Sequence, residues 1–270
     1  MKLALTLSDL RLTAAGRVLV DGFSYRFGAG QLWCIAGPNG AGKSTLIDVI
    51  AGLRSPESGQ VAIDGRALAD WPADALARRR ALMPQASHDA FGATVLETVL
   101  IARYPYLKGW GWESEADTAV ARTALEQLDI AAFAARDVTS LSGGERQRVA
   151  LATALCQQTP MLLLDEPLAH LDLRHQVECL EVLCAWLAER PEERLVLLSC
   201  HDLNLARRFA THALLLDGKG TVIAGEVTEV LSADHASRAF GFPLTLLRDG
   251  AHEVLVPRLS SDQPSDSLQL

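Results

Sequence analysis

The sequence is short of several features that would assign it a role at a glance. Aromatic residues make up only 6% of its 270 positions. No apolar run approaches the ~18–20 residues of a membrane span, so no bilayer-crossing helix is expected. Positive charge is in deficit: 25 Lys and Arg stand against 33 Asp and Glu, a net charge of −8. That removes the global cationic footprint of a nucleic-acid binder, and no nucleic-acid partner is expected. Cysteine is sparse and scattered (Cys34, Cys156, Cys179, Cys184, Cys200), with no C-x-x-C pair. Four of the five lie in apolar or helical patterns, which predicts reduced buried thiols, a cytoplasmic protein and no zinc site. The opening residues alternate like a strand and reach Asp9 too soon for a signal peptide. There is no internal repeat. With 49% hydrophobic residues, the chain can nonetheless bury a substantial core.

The most informative stretch is Gly37-Pro38-Asn39-Gly40-Ala41-Gly42-Lys43-Ser44-Thr45, which fits G-x-x-x-x-G-K-[ST]. A short apolar run, Gln31–Ala36, precedes it and reads as a buried strand. Leu46–Leu53 follows at helical spacing and stops near Gly52. Strand, glycine loop and helix are the context such a loop needs. Glycines let the backbone wrap a phosphate, and the loop amides and helix head attract the anion. Lys43 is placed to reach the β- and γ-phosphates, and the Ser44 hydroxyl to ligate Mg²⁺.

Around this loop the pattern is α/β. Leu3–Leu12 and Arg17–Phe27 read as antiparallel strands joined through Ala14-Ala15-Gly16, with a turn at Asp21-Gly22. Gln60–Arg66 is a short strand between turns. Asp70–Arg80 reads as helix with Pro72 near its start, and Ala81–Gln85 as a strand stopping at Pro84. From about Ser87 to Asp137 the texture turns helical. Thr94–Ala102 is predicted as helix, with Thr94 as N-cap and Glu97 at capping-box spacing. The aromatic, glycine-rich stretch with Tyr104, Tyr106, Trp110 and Trp112 reads as a loop; taken alone, its aromatic cluster would be local packing. Ser114–Leu128 is an amphipathic helix with Ala119, Leu125 and Leu128 inward. A long helix runs from Leu141-Ser142-Gly143-Gly144-Glu145 to Cys156. After it, Met161–Leu164 (strand), Leu173–Glu189 (helix), Leu195–Ser199 (strand) and Leu203–Phe209 (helix) alternate. A hairpin crosses Asp217–Gly220. Such alternation implies a mostly parallel sheet covered on both faces. Residues 1–240 read as one unit carrying a helical insert at about 87–140. Residues 241–270 read as an extension whose end, Ser260–Leu270, is a polar tail.

A second informative feature is the apolar strand that ends in Asp165-Glu166. Ligands of open α/β sheets sit at the C-terminal ends of strands. One carboxylate can hold the Mg²⁺ shell there, and the next can take a proton from an attacking water.

In this order the motifs resemble the nucleotide-binding subunit of ABC transporters over nearly the whole chain. Gly37–Thr45 resembles Walker A, and Gln85 the Q-loop. Leu141–Glu145 resembles the LSGGQ signature with glutamate last, a common variant. Leu163–Glu166 resembles Walker B, Leu168–Asp172 the D-loop, and His201 the switch histidine. The resemblance implies a P-loop NTPase core with a mostly parallel sheet, an N-terminal antiparallel β subdomain and an inserted α-helical subdomain. It implies ATP and Mg²⁺ as ligands, with Ser44, Gln85 and Asp165 toward the metal. Glu166 resembles the base that polarises the attacking water, and His201 the residue that hydrogen-bonds the γ-phosphate and orients that water. Lys43 completes the catalytic group. Gln85 resembles a sensor between Mg²⁺ and a transmembrane partner. Ser142, Gly143 and Gly144 resemble the helix head that meets ATP held by a second copy. One departure is visible: Leu12–Arg17 offers no aromatic residue to stack on adenine, with Arg17 the candidate substitute. The length and Ser199–Asn204 resemble importer subunits for iron–siderophore, haem and vitamin B12. The implied setting is the cytoplasmic face of the inner membrane, peripheral through permease subunits, with a substrate-binding protein acting indirectly. The alternative is an ABC-type ATPase of an exporter, a lipid-trafficking system or a soluble nucleic-acid or ribosome factor.

Overall fold

The computed structural model describes residues 3–85, 92–107, 111–250 and 252–258. Two strands, β1 (Ala4–Ala14) and β2 (Arg17–Gly28), pair antiparallel. Leu5, Leu7, Leu10 and Leu12 of β1 are all buried. The three-residue step from Leu7 to Leu10 breaks the period of two. A register shift there, with Asp9 at φ 47°, restores the inward phase. The turn expected at Asp21-Gly22 is not a turn: β2 runs through it, and Gly22 at φ 64° lies beside a second register shift. Aspartate–glycine serves a bulge as well as it serves a hairpin. Strands β3 (Leu32–Ala36), β4 (Ser58–Ile63) and β5 (Arg66–Ala67) follow, and the first sheet has the order β2-β1-β4-β5.

The second sheet adds β6 (Arg80–Met83), β7 (Met161–Leu164), β8 (Leu195–Ser199), β9 (His212–Leu216) and β10 (Val222–Glu226). Its order is β10-β9-β3-β8-β7-β6, parallel throughout except for the antiparallel edge β10. Every residue of β3, β7 and β8 is buried, as unbroken apolar strands require. Helices α1 (Lys43–Ala51), α2 (Ala73–Ala77), α3 (Val95–Leu100), α4 (Glu115–Gln127), α5 (Gly143–Cys156), α6 (Leu173–Glu189), α7 (Leu203–Phe209), α8 (Val227–Val230) and α9 (Ala233–Phe240) cover it. Trp33, Ile35, Leu163 and Leu197 share one core with α1 and the first sheet. Cys34, Leu162, Leu164 and Leu198 share the other with α5 and α6. Each such leucine contributes about 1.5–3 kcal/mol relative to exposure. All five cysteines are free, and Cys184 alone among them is not fully buried.

Two expectations need correction. The helix over Asp70–Arg80 is only a 3₁₀ turn at Leu68–Asp70 and the short α2, because Pro72 stands at its N-cap and Arg80 already pairs in β6. Ala119 is exposed; α4 buries Ala121, Ala124 and Leu125 instead, with Leu128 just beyond it. Two residues on from Ala119 is roughly 200° round the helix, so both cannot face inward. Beyond β10, β11 (Leu244–Asp249) and β12 (His252–Pro257) form a hairpin docked on α7, where Asn204 exchanges two hydrogen bonds with the Leu255 backbone. The expected capping box at α3 is present, with Glu97 N donating to Thr94 Oγ1 and Thr94 N to Glu97. The start of the insert at Ser87, Trp110 of the aromatic loop, and the tail from Ser260 lie outside the described residues.

Candidate functional site

The site begins where β3 turns into α1. Gly37 has φ 149°, and a Cβ there would sit 2.4 Å from the Leu216 carbonyl oxygen, so only glycine fits. Gly42, at φ 104°, is the N-cap of α1 and offers no side-chain hydrogen bond to the helix head. The first turn holds no acidic residue. Its amides therefore face outward with no competing carboxylate, an arrangement suited to an anion. Lys43 is 6% exposed, and its Nζ donates to the carbonyls of Gly37 (2.9 Å) and Pro38 (3.2 Å). Burial pushes its ammonium below the usual lysine pKa, against the opposing pull of Glu166 and Asp165.

A cavity of about 680 Å³ opens above this loop. Its walls include Asn39, Gly40, Gly42, Lys43, Ser44, Thr45, Gln85, Glu166 and His201. Its other end is lined by Ala14, Ala15, Arg17 and Leu19, and Arg17 Nη2 donates to the Gly218 carbonyl at 3.1 Å. A second cavity of about 700 Å³ lies beside Pro160 and Arg194, before the starts of β7 and β8. That is the wrong end of the sheet for a ligand of an open α/β fold, so the cavity over the loop is the candidate site.

The paired carboxylates stand at the end of β7. Asp165 is 4% exposed, extends the ladder through Asp165 N to Met83 O (2.8 Å), and accepts from Ser199 Oγ at 2.6 Å. Glu166 leaves the ladder with φ 51°, a conformation costing a non-glycine residue about 1–3 kcal/mol. Its amide donates to Ser199 Oγ (2.7 Å), and its carbonyl accepts from Gln147 Nε2 (2.6 Å). Its carboxylate is hydrogen-bonded to His201 Nε2 at 2.7 Å. Ala41 is buried behind the loop. Among the described residues no three His, Cys, Asp or Glu side chains converge on a metal-sized space. Ser44 and Gln85 line the cavity over the loop, while the buried Asp165, next to Glu166, is not one of its walls; all three side chains carry hard oxygen donors of the kind Mg²⁺ takes.

Ser142, Gly143 and Gly144 do not line this cavity. Ser142 is the N-cap of α5, and its Oγ accepts from Glu145 N (3.3 Å) while Glu145 Oε2 accepts from Ser142 N (2.7 Å). The Ser142 amide, and then its hydroxyl, hold the Glu145 carboxyl below its ordinary pKa. The S-x-x-E spacing announces this capping box, although the sequence reading above takes the stretch only as a helix start. Ser199 and Gln147 are missed entirely. Ser199 is the one polar residue of an apolar strand, a usable signal, whereas nothing local marks Gln147.

A family model described as ABC transporter matches residues 20–169, more than half of the chain. A cobalamin import ATP-binding protein of Halobacterium salinarum is 41% identical over 88% of this chain, which spans 59% of that relative's length. A hemin import ATP-binding protein of Streptomyces coelicolor is 40% identical over 92% of this chain and 88% of its own. Among solved structures, a chain of a metal-chelate type ABC transporter in an inward-facing conformation superimposes with a TM-score of 0.82 at 26% identity. That match covers 96% of this chain and 99% of the other. With a matching family model and relatives alike along nearly its whole length, this chain belongs to the ABC transporter family.

Proposed function

We propose that this chain hydrolyses ATP to power import of a metal-chelate type substrate, such as a siderophore, haem or cobalamin, through a partner membrane permease. The observation that carries this reading is the Glu166 carboxylate, tied to His201 at 2.7 Å on the wall of a cavity floored by Lys43 and the glycine loop. The named relatives and the metal-chelate type neighbour support the substrate class.

The chemistry follows from the positions. Loop amides and Lys43 hold the β- and γ-phosphates, with Gly37–Thr45 wrapping them. Glu166 accepts a proton from a water whose oxygen attacks the γ-phosphorus. The bond to the bridging oxygen breaks, and ADP leaves. His201 hydrogen-bonds the γ-phosphate and orients the water. Ser44, Gln85 and Asp165 are the residues that would hold Mg²⁺, which when bound neutralises charge on the phosphates. Ala14, Ala15 and Arg17 take the adenine end. Ser142, Gly143 and Gly144 meet the nucleotide of a second copy in a homodimer with two-fold symmetry.

Residues 1–240 form the cassette in this reading, with the insert at about 87–140, and 241–270 an extension. Among the described residues no helix is long and apolar enough to cross a membrane. Attachment at the cytoplasmic face then comes through the permease, and a substrate-binding protein acts only indirectly. Ile101, Tyr104 and Trp112 of the insert are 68%, 78% and 91% exposed, an apolar surface fit for that contact. Expressed alone, the chain should stay in the supernatant. With its permease it should fractionate with membranes, and serine at these three positions should release it. Binding of the isolated chain to pure lipid vesicles argues against this mode of attachment.

Glu166→Gln tests the hydrolytic role. ATP should still bind, while turnover falls by about 10²–10⁴-fold, the usual worth of a positioned general base. Turnover within a fewfold of the unsubstituted chain sinks the assignment.

A further inference from the structure

We propose that Ser199 and Gln147 are positioning residues that clamp the Glu166 peptide from two sides and so aim its carboxylate. The proposal rests on the reading of Glu166 as the base. Glu166 stands where β7 ends, in a left-handed backbone conformation, immediately before Pro167. No sheet partner holds its polar backbone groups. Instead, its N–H donates to Ser199 Oγ at 2.7 Å. Its carbonyl accepts from Gln147 Nε2 at 2.6 Å and from Ala169 N at 3.1 Å.

Ser199 is fully buried at the end of β8, the strand beside β7. Its single hydroxyl proton goes to Asp165 Oδ1 at 2.6 Å, which leaves its oxygen lone pairs to accept from Glu166. One hydroxyl thus ties both consecutive carboxylate residues to the neighbouring strand. Gln147 reaches Glu166 from α5, on the opposite side of the peptide in sequence. Together they set the backbone from which the carboxylate reaches His201. Apolar replacement at 199 would leave two polar groups unpaired in a dry place, the costly form of a lost hydrogen bond. A backbone freed there lets the reacting carboxylate drift, and displacement by about 1 Å can cost about 100-fold in rate.

The test uses the full chain with Ser199→Ala, Ser199→Thr, Gln147→Leu and Glu166→Gln. Three quantities are measured: hydrogen exchange of the Glu166 amide, ATP affinity by titration, and turnover at saturating ATP. Ser199→Ala should speed exchange of that amide about 10-fold or more and lower kcat by about 10–100-fold, with ATP affinity within twofold. Threonine keeps the hydroxyl and should restore most of the rate. Gln147→Leu should lower kcat in the same sense, and it carries the test if Ser199→Ala does not fold. Unchanged kcat in the folded variants overturns the clamp, as does a loss of ATP affinity that matches the loss of rate. Normal turnover in Glu166→Gln would remove the base reading instead, while amide exchange would still decide whether the peptide is held by Ser199.

Discussion

Two helices in this chain begin with glycine-containing heads, and the two heads are finished in opposite ways. At α1 the N-cap is Gly42, nothing caps the amides, and the first turn carries Lys43 with no carboxylate. At α5 the N-cap is Ser142, and Glu145 folds back to complete a capping box, its charge placed where an incoming anion would sit. Arg136 stands 3.9 Å from that carboxylate, a distance at which it offsets little of it. The backbone offers the same partial positive charge at both heads. What differs is who uses it. The α1 head is left open within one chain, whereas the α5 head is satisfied by its own residues and contributes nothing to the cavity over the loop. A helix start alone therefore does not define an anion site within one chain.

The widest gap between the two heads should appear in ATP binding by the isolated chain. Lys43→Ala removes a buried cation whose charge-assisted hydrogen bonds are worth about 1.5–3 kcal/mol each, so affinity should fall about 100-fold or more by direct titration. Ser142→Ala should leave it within twofold. Equal losses would erase the distinction.

The next test asks whether the α5 head finds its anion on a second copy. In a variant without the five native cysteines and carrying Glu166→Gln, cysteines at the exposed Asn39, rather than the buried Ala41, and at Ser142 should give an ATP-dependent covalent dimer on a non-reducing gel. Pro38 and Gly143 should be scanned as alternatives, because a disulfide needs Cα atoms about 4.4–6.8 Å apart. Intramolecular links alone, or no effect of ATP, would break the shared-site reading.

A capped head with a purely structural task supplies a control. Asp117 closes a capping box with Ser114 on α4 and pairs with the buried Arg103 at 2.8 Å. The Ser114 bonds, then Arg103, pull its pKa from 3.8 to about 2. Its folded-state pKa is depressed, so its stabilisation is complete above the unfolded value and fades as pH falls through about 2. Asp117→Asn should cost about 1–2 kcal/mol at pH 7 in denaturant melts, with the difference closing in that acid window. A penalty independent of pH would show that packing, not charge, does the holding.

The smallest effect belongs to Glu145→Gln, which keeps an acceptor for Ser142 N but removes the charge. If the α5 head meets phosphate, dimer yield in the gel assay should rise by roughly 2–5-fold, as ~0.3–1 kcal/mol of relieved repulsion gives. A fall in yield would mean that the carboxylate helps the contact rather than opposing it.

The elements that were readable in advance share one property: each is encoded in consecutive residues. Met161–Leu164 had to be a buried strand because no face of it is polar. Gly37–Thr45 had to be a phosphate-type loop because glycines and a lysine stand at the required spacing. Leu173–Glu189 and Leu203–Phe209 matched residue for residue, each headed by an aspartate N-cap. The misreadings came where local signals are shared between structures. Asp21-Gly22 suits a turn or a bulge, and Ala119 suits either face of a helix. The hairpin at Leu244–Pro257 was not anticipated at all, since its anchor is a side chain on α7, 51 residues away from Leu255.

By itself, then, the sequence determined the loop that can hold phosphates and the strand that delivers Asp165 and Glu166, whereas the role of His201 came only through the family resemblance. Backbone geometry within a few residues is enough to specify the loop and the strand. Only the tertiary structure decided what holds Glu166. Ser199 is 33 residues from it and Gln147 is 19, and neither distance carries a pattern. They meet because β8 lies beside β7 in the sheet and α5 packs across its end, and that sheet order follows from burying two cores at once rather than from any local spacing.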